Sequence, residues 1–225
     1  MNYYAIALDG PAGAGKSTMA KALAAELGCV YLDTGAIYRT VAYHMALMGI
    51  SPRDADGVAR MIDDVNIRIE FDADRKQHMI LNGQDVTDEL RTPEMSQGAS
   101  LVSAHAVVRE VLLDLQRDIA KNHNVVMDGR DIGTVVLPDA QVKIFLTADV
   151  RVRAERRYKE LLEKGQKTDY ETVLSDMERR DEQDSTRAIA PLRCAVDAVR
   201  VDTSAVGIEE SVAMLRAVVR EKLGI

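Results

Sequence analysis

An α/β fold built on a parallel sheet is predicted for this chain by three observations. Short apolar runs alternate with helix-length amphipathic patterns, the habit of parallel strands joined by crossover helices. A glycine-rich segment, GPAGAGKST from Gly10 to Thr18, joins the first apolar run to the first helical pattern. Residues 66 to 86 then switch to strand-like patterns, in strict alternation over residues 66–72, which predicts a small antiparallel inset within an otherwise βα chain. At 225 residues and 47% hydrophobic, the chain can bury a substantial core, as one large domain or one domain carrying small insertions.

The first strand is the apolar run Tyr3 to Leu8, followed beyond the glycine-rich turn by a helix over Lys16 to Leu27. Val30 to Asp33 reads as a second strand ending at a Thr34-Gly35 turn, and Ala36 to Met48 as the next helix. Ala55 to Val65 is predicted helical because positions 58, 61, 62 and 65 share one face. In NIRIEFD, Asn66 to Asp72, alternation puts Ile67, Ile69 and Phe71 on one side; Gln77 to Val86 repeats the strand habit around Asn82-Gly83, a hairpin signal. Helix resumes at Pro93, and Ala106 to Asn122 is amphipathic. Val125 to Asp128 is a continuous apolar run ending in an acid, as a central parallel strand buried on both faces reads. Val142 to Leu146 and Val199 to Asp202 are two further strands, separated by an arginine-dense stretch, Asp149 to Arg187, with no strand pattern. An amphipathic helix over 208 to 223 closes the chain, and no repeat or low-complexity segment interrupts it.

The glycine-rich turn carries specific chemistry. Gly10, Gly13 and Gly15 let successive backbone N–H groups point at a polyphosphate, with Pro11, Ala12 and Ala14 between them. Lys16 adds a mobile cation, Ser17 offers a hydroxyl to Mg²⁺, and Thr18 continues into a helix whose positive dipole end lies under the phosphates. All nine residues are therefore expected to bind ATP or GTP together with Mg²⁺.

Bulk properties narrow the partners. A net charge of −7 argues against a nucleic-acid polymer, so any basic site must be local. Cys29 and Cys194 lack metal-ligand spacing and are expected as buried free thiols in a reducing compartment. No apolar run approaches the roughly 18 residues a membrane span needs, and residues 1 to 8 lack the basic start of a signal peptide. A cytoplasmic monomer is expected. His44, His78, His105 and His123 are scattered and read as structural or surface residues, and Met45, Met48, Met61 and Met214 as helix packing.

Phosphate-binding loops serve switches, motors and kinases, and the other polar residues bear on the choice. The Asn-Lys-x-Asp motif by which GTPases read guanine is absent. At the ends of predicted strands, where open α/β sheets collect ligands, stand Asp33-Thr34-Gly35-Ala36-Ile37-Tyr38-Arg39 and Asp128-Gly129-Arg130-Asp131. With Arg109 and the run from Arg179 to Arg187, an acidic chain gathers guanidinium groups around one phosphate loop, which suits a second phosphorylated substrate. In a helix rich in Glu and Arg, however, Arg153, Arg156, Arg157 and Arg179 read equally well as a solvated face. Asp128 either caps a turn or orients Mg²⁺-bound water.

GPAGAGKST, LDTGAIYR, NGQDVT, DGRDIGTVVLPDA, KIFLTAD, ERR and RDEQDSTRAIAPL together resemble, in order and spacing, the bacterial cytidylate kinases among the nucleoside monophosphate kinases, over essentially the whole chain. The resemblance implies a P-loop kinase fold: a five-stranded parallel sheet flanked by helices, a monophosphate-binding insert containing a small antiparallel sheet, and a helical lid. It divides a single domain into a core (about 1–34, 101–148 and 171–225), an insert (about 35–100) and a lid (about 149–170). The implied reaction moves the γ-phosphoryl of MgATP to CMP or dCMP; UMP as acceptor and an ATP-dependent switch are the alternatives. Lys16, Arg130 and Arg157 are the implied catalytic residues, Arg157 matching a lid arginine only loosely. Arg39, Arg130 and Arg187 match the arginines that grip the CMP phosphate; Ser100, Arg109 and Asp131 match the residues that read cytosine. Arg180 and Asp184 match the groups that bond the sugar hydroxyls. Thr34, where many relatives have Ser, and Tyr38 complete the implied acceptor site, and Ser17 the implied Mg²⁺ site.

Overall fold

In the computed structural model, which describes residues 3–225, the chain runs through β1 (Ala5–Asp9), α1 (Lys16–Leu27), β2 (Val30–Asp33), α2 (Thr34–Leu47) and α3 (Ala55–Ile62). Then follow β3 (Ile67–Phe71), β4 (Gln77–Leu81), β5 (Gln84–Asp85), a 3₁₀ turn (Thr87–Leu90), α4 (Pro93–Val102) and α5 (Ala106–Asn122). The remainder comprises β6 (Val125–Gly129), a π-helical turn (Ile132–Val136), β7 (Val142–Thr147), α6 (Val150–Glu163), α7 (Tyr170–Thr186), β8 (Val199–Asp202) and α8 (Ile208–Leu223).

β1 and β6 are buried at every position and pair at the centre of a five-stranded parallel sheet of order β2-β6-β1-β7-β8. Side chains alternate across the sheet, so Ala5 and Ala7 join Leu32, Ile37, Val41, Met45 and Met127 on one face. Ile6 and Leu8 join Leu23, Val126, Ile144, Leu146 and Leu215 on the other, under α1 and α8. The register sets Asp33 opposite Asp128 and Asp9 opposite Gly129, so β1 and β2 end on acids and β6 carries its acid one residue before its end, all at one edge of the sheet. That edge is where the strands hand the chain to the glycine-rich turn, to α2 and to the Arg130–Asp131 segment.

The alternating stretch forms a separate antiparallel sheet, β3-β4-β5. Its tight turn places Asn82 at φ 50° and Gly83 at φ 89°, conformations that Asn and Gly tolerate best. The charged stretch after β7 is two helices, α6 and α7, packed through Val150, Ala154, Tyr158, Leu161, Val173 and Met177. Among the described residues, no helix is long and apolar enough to cross a membrane.

Four expectations need correction. α2 begins at Thr34 rather than Ala36, because the Asp33 side chain caps it by accepting from the Ala36 N–H at 3.0 Å. Cys29 is buried, but Cys194 is exposed in an irregular segment. Met45 and Met61 are buried as expected, whereas Met48 closes α2 at 60% exposure and Met214 is 37% exposed on α8. α3 ends at Ile62, short of Val65.

Met127 is fully buried between the two central strands' neighbours and the α2 face. Met127→Ala is expected to lower unfolding free energy by roughly 2–5 kcal/mol, read from urea denaturation. A change below about 1 kcal/mol would mean that this face of the sheet is not the packed core described.

Candidate active site

The Gly10–Thr18 loop leaves β1 and wraps the start of α1. Gly10 has no room for a side chain, since a Cβ there would lie 2.0 Å from the Leu146 carbonyl oxygen. Lys16 is buried, and its Nζ donates to the Pro11 carbonyl at 2.7 Å, so the loop's own backbone holds the ammonium across its mouth. Burial draws the Lys16 pKa well below the ordinary lysine range, and the nearby Arg130 adds to it. Ser17 donates to Asp128 Oδ2 at 3.1 Å, and Tyr31 donates to Asp128 Oδ1 at 2.8 Å. Burial, with Asp33 nearby, raises the Asp128 carboxyl above its usual range. A serine hydroxyl beside a carboxylate is an oxygen donor pair of the kind a hard cation such as Mg²⁺ takes.

A cleft of about 880 Å³ opens from this loop. Of the predicted residues, Ala12, Gly13, Lys16, Ser17, Thr34, Tyr38, Arg39, Ser100, Arg109, Arg130, Asp131, Arg157, Arg180, Asp184 and Arg187 line it. Gly10, Pro11, Ala14, Gly15 and Thr18 shape the loop without lining the cleft. The sheet edge and α4, α5 and α7 thus bring to one cavity residues separated by most of the chain length.

Inside the cleft, arginines are paired with carboxylates. Arg39 Nη2 donates to Asp33 Oδ2 at 2.8 Å, and Arg130 Nε to Asp184 Oδ2 at 2.8 Å. Asp131 is shared, with Arg109 donating to one oxygen and Arg187 to the other at 3.2 Å. Burial alone would raise Asp184, but Arg130 and Arg180 outweigh it and hold the carboxyl below its ordinary range. Asp131 is different: burial prevails over Arg109 and Arg187 and leaves its carboxyl raised. Arg187 is held further by the Ser103 hydroxyl at 3.0 Å and the Ala190 carbonyl at 2.7 Å. Ser100 donates to Asp184 at 3.4 Å, Thr34 donates to the Asp128 carbonyl at 2.8 Å, and the Tyr38 ring lies 5.7 Å from the Arg109 guanidinium. Among the arginines that line the cleft, two Nε donors, those of Arg39 and Arg180, are buried without a partner. Buried N–H groups rarely stay unbonded, so both are poised for an acceptor that enters the cleft. Burial and Arg130 also pull Arg180 down to about 10, the signature of positive charge crowded into one place.

The arginines of α6 and α7 divide in a way their spacing does not reveal. Arg153 is buried, donating to the Ala12 carbonyl at 2.9 Å, the Ala148 carbonyl at 2.8 Å and Asp181 at 2.6 Å, so it ties α6 and α7 to the phosphate loop. Arg156 closes the Thr203 carbonyl at 2.7 Å. Arg157 and Arg179 both line the cleft, Arg157 paired with Glu160 at 2.8 Å and Arg179 more exposed and paired with Asp176. Arg179 comes nearest to the solvated-face reading, although it too borders the cleft. Asp33, Ser103 and Asp181, which hold three of these arginines, were not singled out in the sequence. Asp33 alone carried a signal, as an acid at a strand end immediately before a helix.

Residues 6–221 match the family described as cytidylate kinase. The chain is 50% identical over 217 residues to the cytidylate kinase of Carboxydothermus hydrogenoformans, covering 96% of this chain and 97% of that protein. It is 48% identical over 223 residues to that of Enterococcus faecalis, covering 99% and 98%, and 47% identical over 216 residues to that of Shouchella clausii, covering 96% of each. End-to-end similarity at this level leaves no part of the site outside the aligned region, and the chain belongs to the cytidylate kinase family.

Proposed function

We propose that this protein transfers the γ-phosphoryl group of MgATP to CMP or dCMP, giving ADP and CDP or dCDP by direct in-line displacement. The observation that carries the reading is a phosphate loop and a set of half-buried arginines, two with unpartnered donors, lining one cleft in a chain of net charge −7. Family membership supports the same reaction.

Two polyanionic substrates repel, so the catalytic task is to align them and to neutralise the transferring group. The backbone N–H groups of the Gly10–Thr18 loop other than Pro11, together with Lys16, take the ATP phosphates, Lys16 exchanging the Pro11 carbonyl for phosphate oxygens. Ser17 would hold Mg²⁺ with Asp128 beside it, and the ion would supply charge that screens the phosphates. Arg39, Arg130 and Arg187 take the CMP phosphate, a task for which forked donors suit better than ammonium groups. Asp131 accepts from the cytosine amine, since a carboxylate pair of oxygens has lone-pair capacity left beyond Arg109 and Arg187, while Ser100 and Arg109 donate to O2 and N3. Arg180 and Asp184 bond the sugar hydroxyls, and Thr34 and Tyr38 shape the pocket floor. We read residues 35–100 as the insert that closes over CMP and 149–170 as the lid that brings Arg157 to the transferring phosphoryl. A free buried thiol and an exposed one are consistent with a cytoplasmic enzyme.

The test is ADP release followed with MgATP alone, with CMP and with UMP. Release with CMP is expected to exceed acceptor-free hydrolysis by orders of magnitude, and Lys16→Ala to lower CMP-dependent turnover by at least about 10²-fold with the fold intact by circular dichroism. Slow hydrolysis indifferent to CMP would identify a switch instead, and equal efficiency on UMP would remove the base assignment.

A second expectation follows from the lowered Lys16 pKa. Phosphate oxygens favour the ammonium, so binding raises the pKa and Lys16 takes up a proton where the free protein holds it partly neutral. At pH 8, calorimetric titration of ATP in buffers of different ionisation enthalpy is expected to show net proton uptake, and apparent ATP affinity to weaken as pH rises. Proton release at pH 8 would contradict the assigned contact.

A further inference from the structure

Asp9 has no part in the chemistry described above, although it stands at the end of β1 immediately before the glycine-rich loop. It is the last residue of β1, one position before Gly10, and only 4% exposed. Among the described residues it forms no ion pair. Its carboxylate accepts from two backbone amides instead, Ile132 N–H at 2.7 Å to Oδ1 and Gly133 N–H at 2.8 Å to Oδ2. Burial pushes the Asp9 carboxyl up to about 6 against those two bonds.

Those amides belong to the two residues that follow Asp131. Past Gly129 the chain leaves the β6 ladder, Asp131 adopts φ −144° and ψ 26°, and the π-helical turn begins at Ile132. The turn's own hydrogen bonds use the Asp131 carbonyl, which accepts from Val135 at 2.9 Å and Val136 at 3.1 Å, and leave the first two amides to Asp9. Gly133 lies tight against this arrangement, since a Cβ there would stand 3.1 Å from Lys143 Cδ and 3.4 Å from Asp9 Oδ2. The backbone on both sides of the Asp131 side chain is thus fixed by β6 before it and by Asp9 after it.

We propose that Asp9 is a positioning residue for acceptor recognition, which clamps the Ile132 and Gly133 amides and thereby sets where Asp131 presents its carboxylate to the base. The inference rests on the reading of Asp131 as the acceptor of the cytosine amine. The clamp also joins donor and acceptor sites through one residue, because the backbone that carries Asp9 continues directly into the phosphate loop. A carboxylate suits this position because both oxygens accept at once; an amide side chain has a single acceptor oxygen. If Asp9 only satisfied buried amides, its loss would cost stability and leave base preference unchanged.

The experiment compares wild type, Asp9→Asn, Asp131→Asn and the double variant by kcat and KM for CMP and UMP, KM for ATP and melting temperature. Asp9→Asn is expected to raise KM for CMP by roughly tenfold or more and to reduce the CMP-over-UMP efficiency ratio to a similar degree, as a displaced polar contact does. In the Asp131→Asn background the same change is expected to leave the ratio where Asp131→Asn put it, because the two act through one contact. If Asp131→Asn alone leaves the ratio intact, the base reading and the Asp9 inference fall together. If Asp131→Asn lowers the ratio while Asp9→Asn alters only stability or kcat, the Asp9 inference alone is overturned. Should the Asp9 variant not fold, amide exchange in the wild-type protein decides: the Ile132 and Gly133 amides are expected to exchange as slowly as those of β6, and exchange at loop rates overturns the clamp.

Discussion

Buried arginine–carboxylate pairing at one edge of the parallel sheet is the interaction on which the rest of this structure depends. Arg39–Asp33, Arg130–Asp184 and the Arg109–Asp131–Arg187 set join β2 and α2 to each other, the β6 turn to α7, and α5 to the segment after α7. Removing one member of such a pair strands a buried charge, at a cost of roughly 3–5 kcal/mol. The carboxylates therefore keep the guanidinium groups both folded and aimed at the cleft before any phosphate arrives. An acidic chain can hold so dense a cationic site because the compensating acids lie within it: Asp33 at the end of β2, Asp131 just past β6 and Asp184 on α7.

The donor side is kept in a comparable state of readiness. Lys16 lies across its own loop on the Pro11 carbonyl, and Arg153 braces the loop from α6 through the Ala12 carbonyl. The same guanidinium bonds Asp181 on α7, two positions from Arg179 and three from Asp184. The α6–α7 hairpin is thus tied to the glycine-rich loop on one side and, through Asp184, to Arg130 on the other. The Asp9 clamp is a second such link, inside the sheet rather than over it.

Much of this was legible in the sequence because local patterns carried it. The strands were visible as apolar runs, the inset as alternation around Asn82-Gly83, and the phosphate loop as a fixed spacing of glycines, lysine and serine. Arg130 and Asp131 were visible by their place after a buried strand. What stayed hidden depends on partners distant in the chain. Whether Arg153 or Arg179 is buried follows from how α6 packs on α7 and the loop, which no pattern within either helix encodes. The partners Ser103 and Asp181 were missed for the same reason, and Cys194 and Met214 were placed inside by residue type although their surroundings leave them exposed. The start of α2 was misplaced because the capping power of Asp33 outweighed the turn signal of Thr34-Gly35.

A crystal structure with CMP bound tests the central claim most directly, namely that the buried guanidinium groups are a prearranged receptor for the acceptor phosphate. The 5′-phosphate is expected within hydrogen-bond distance of Arg39, Arg130 and Arg187, with the previously unpartnered Nε atoms of Arg39 and Arg180 now bonded and the cytosine amine on Asp131. A CMP phosphate seated elsewhere, with the Arg39–Asp33 and Arg130–Asp184 pairs unchanged and both Nε atoms still unbonded, would contradict it.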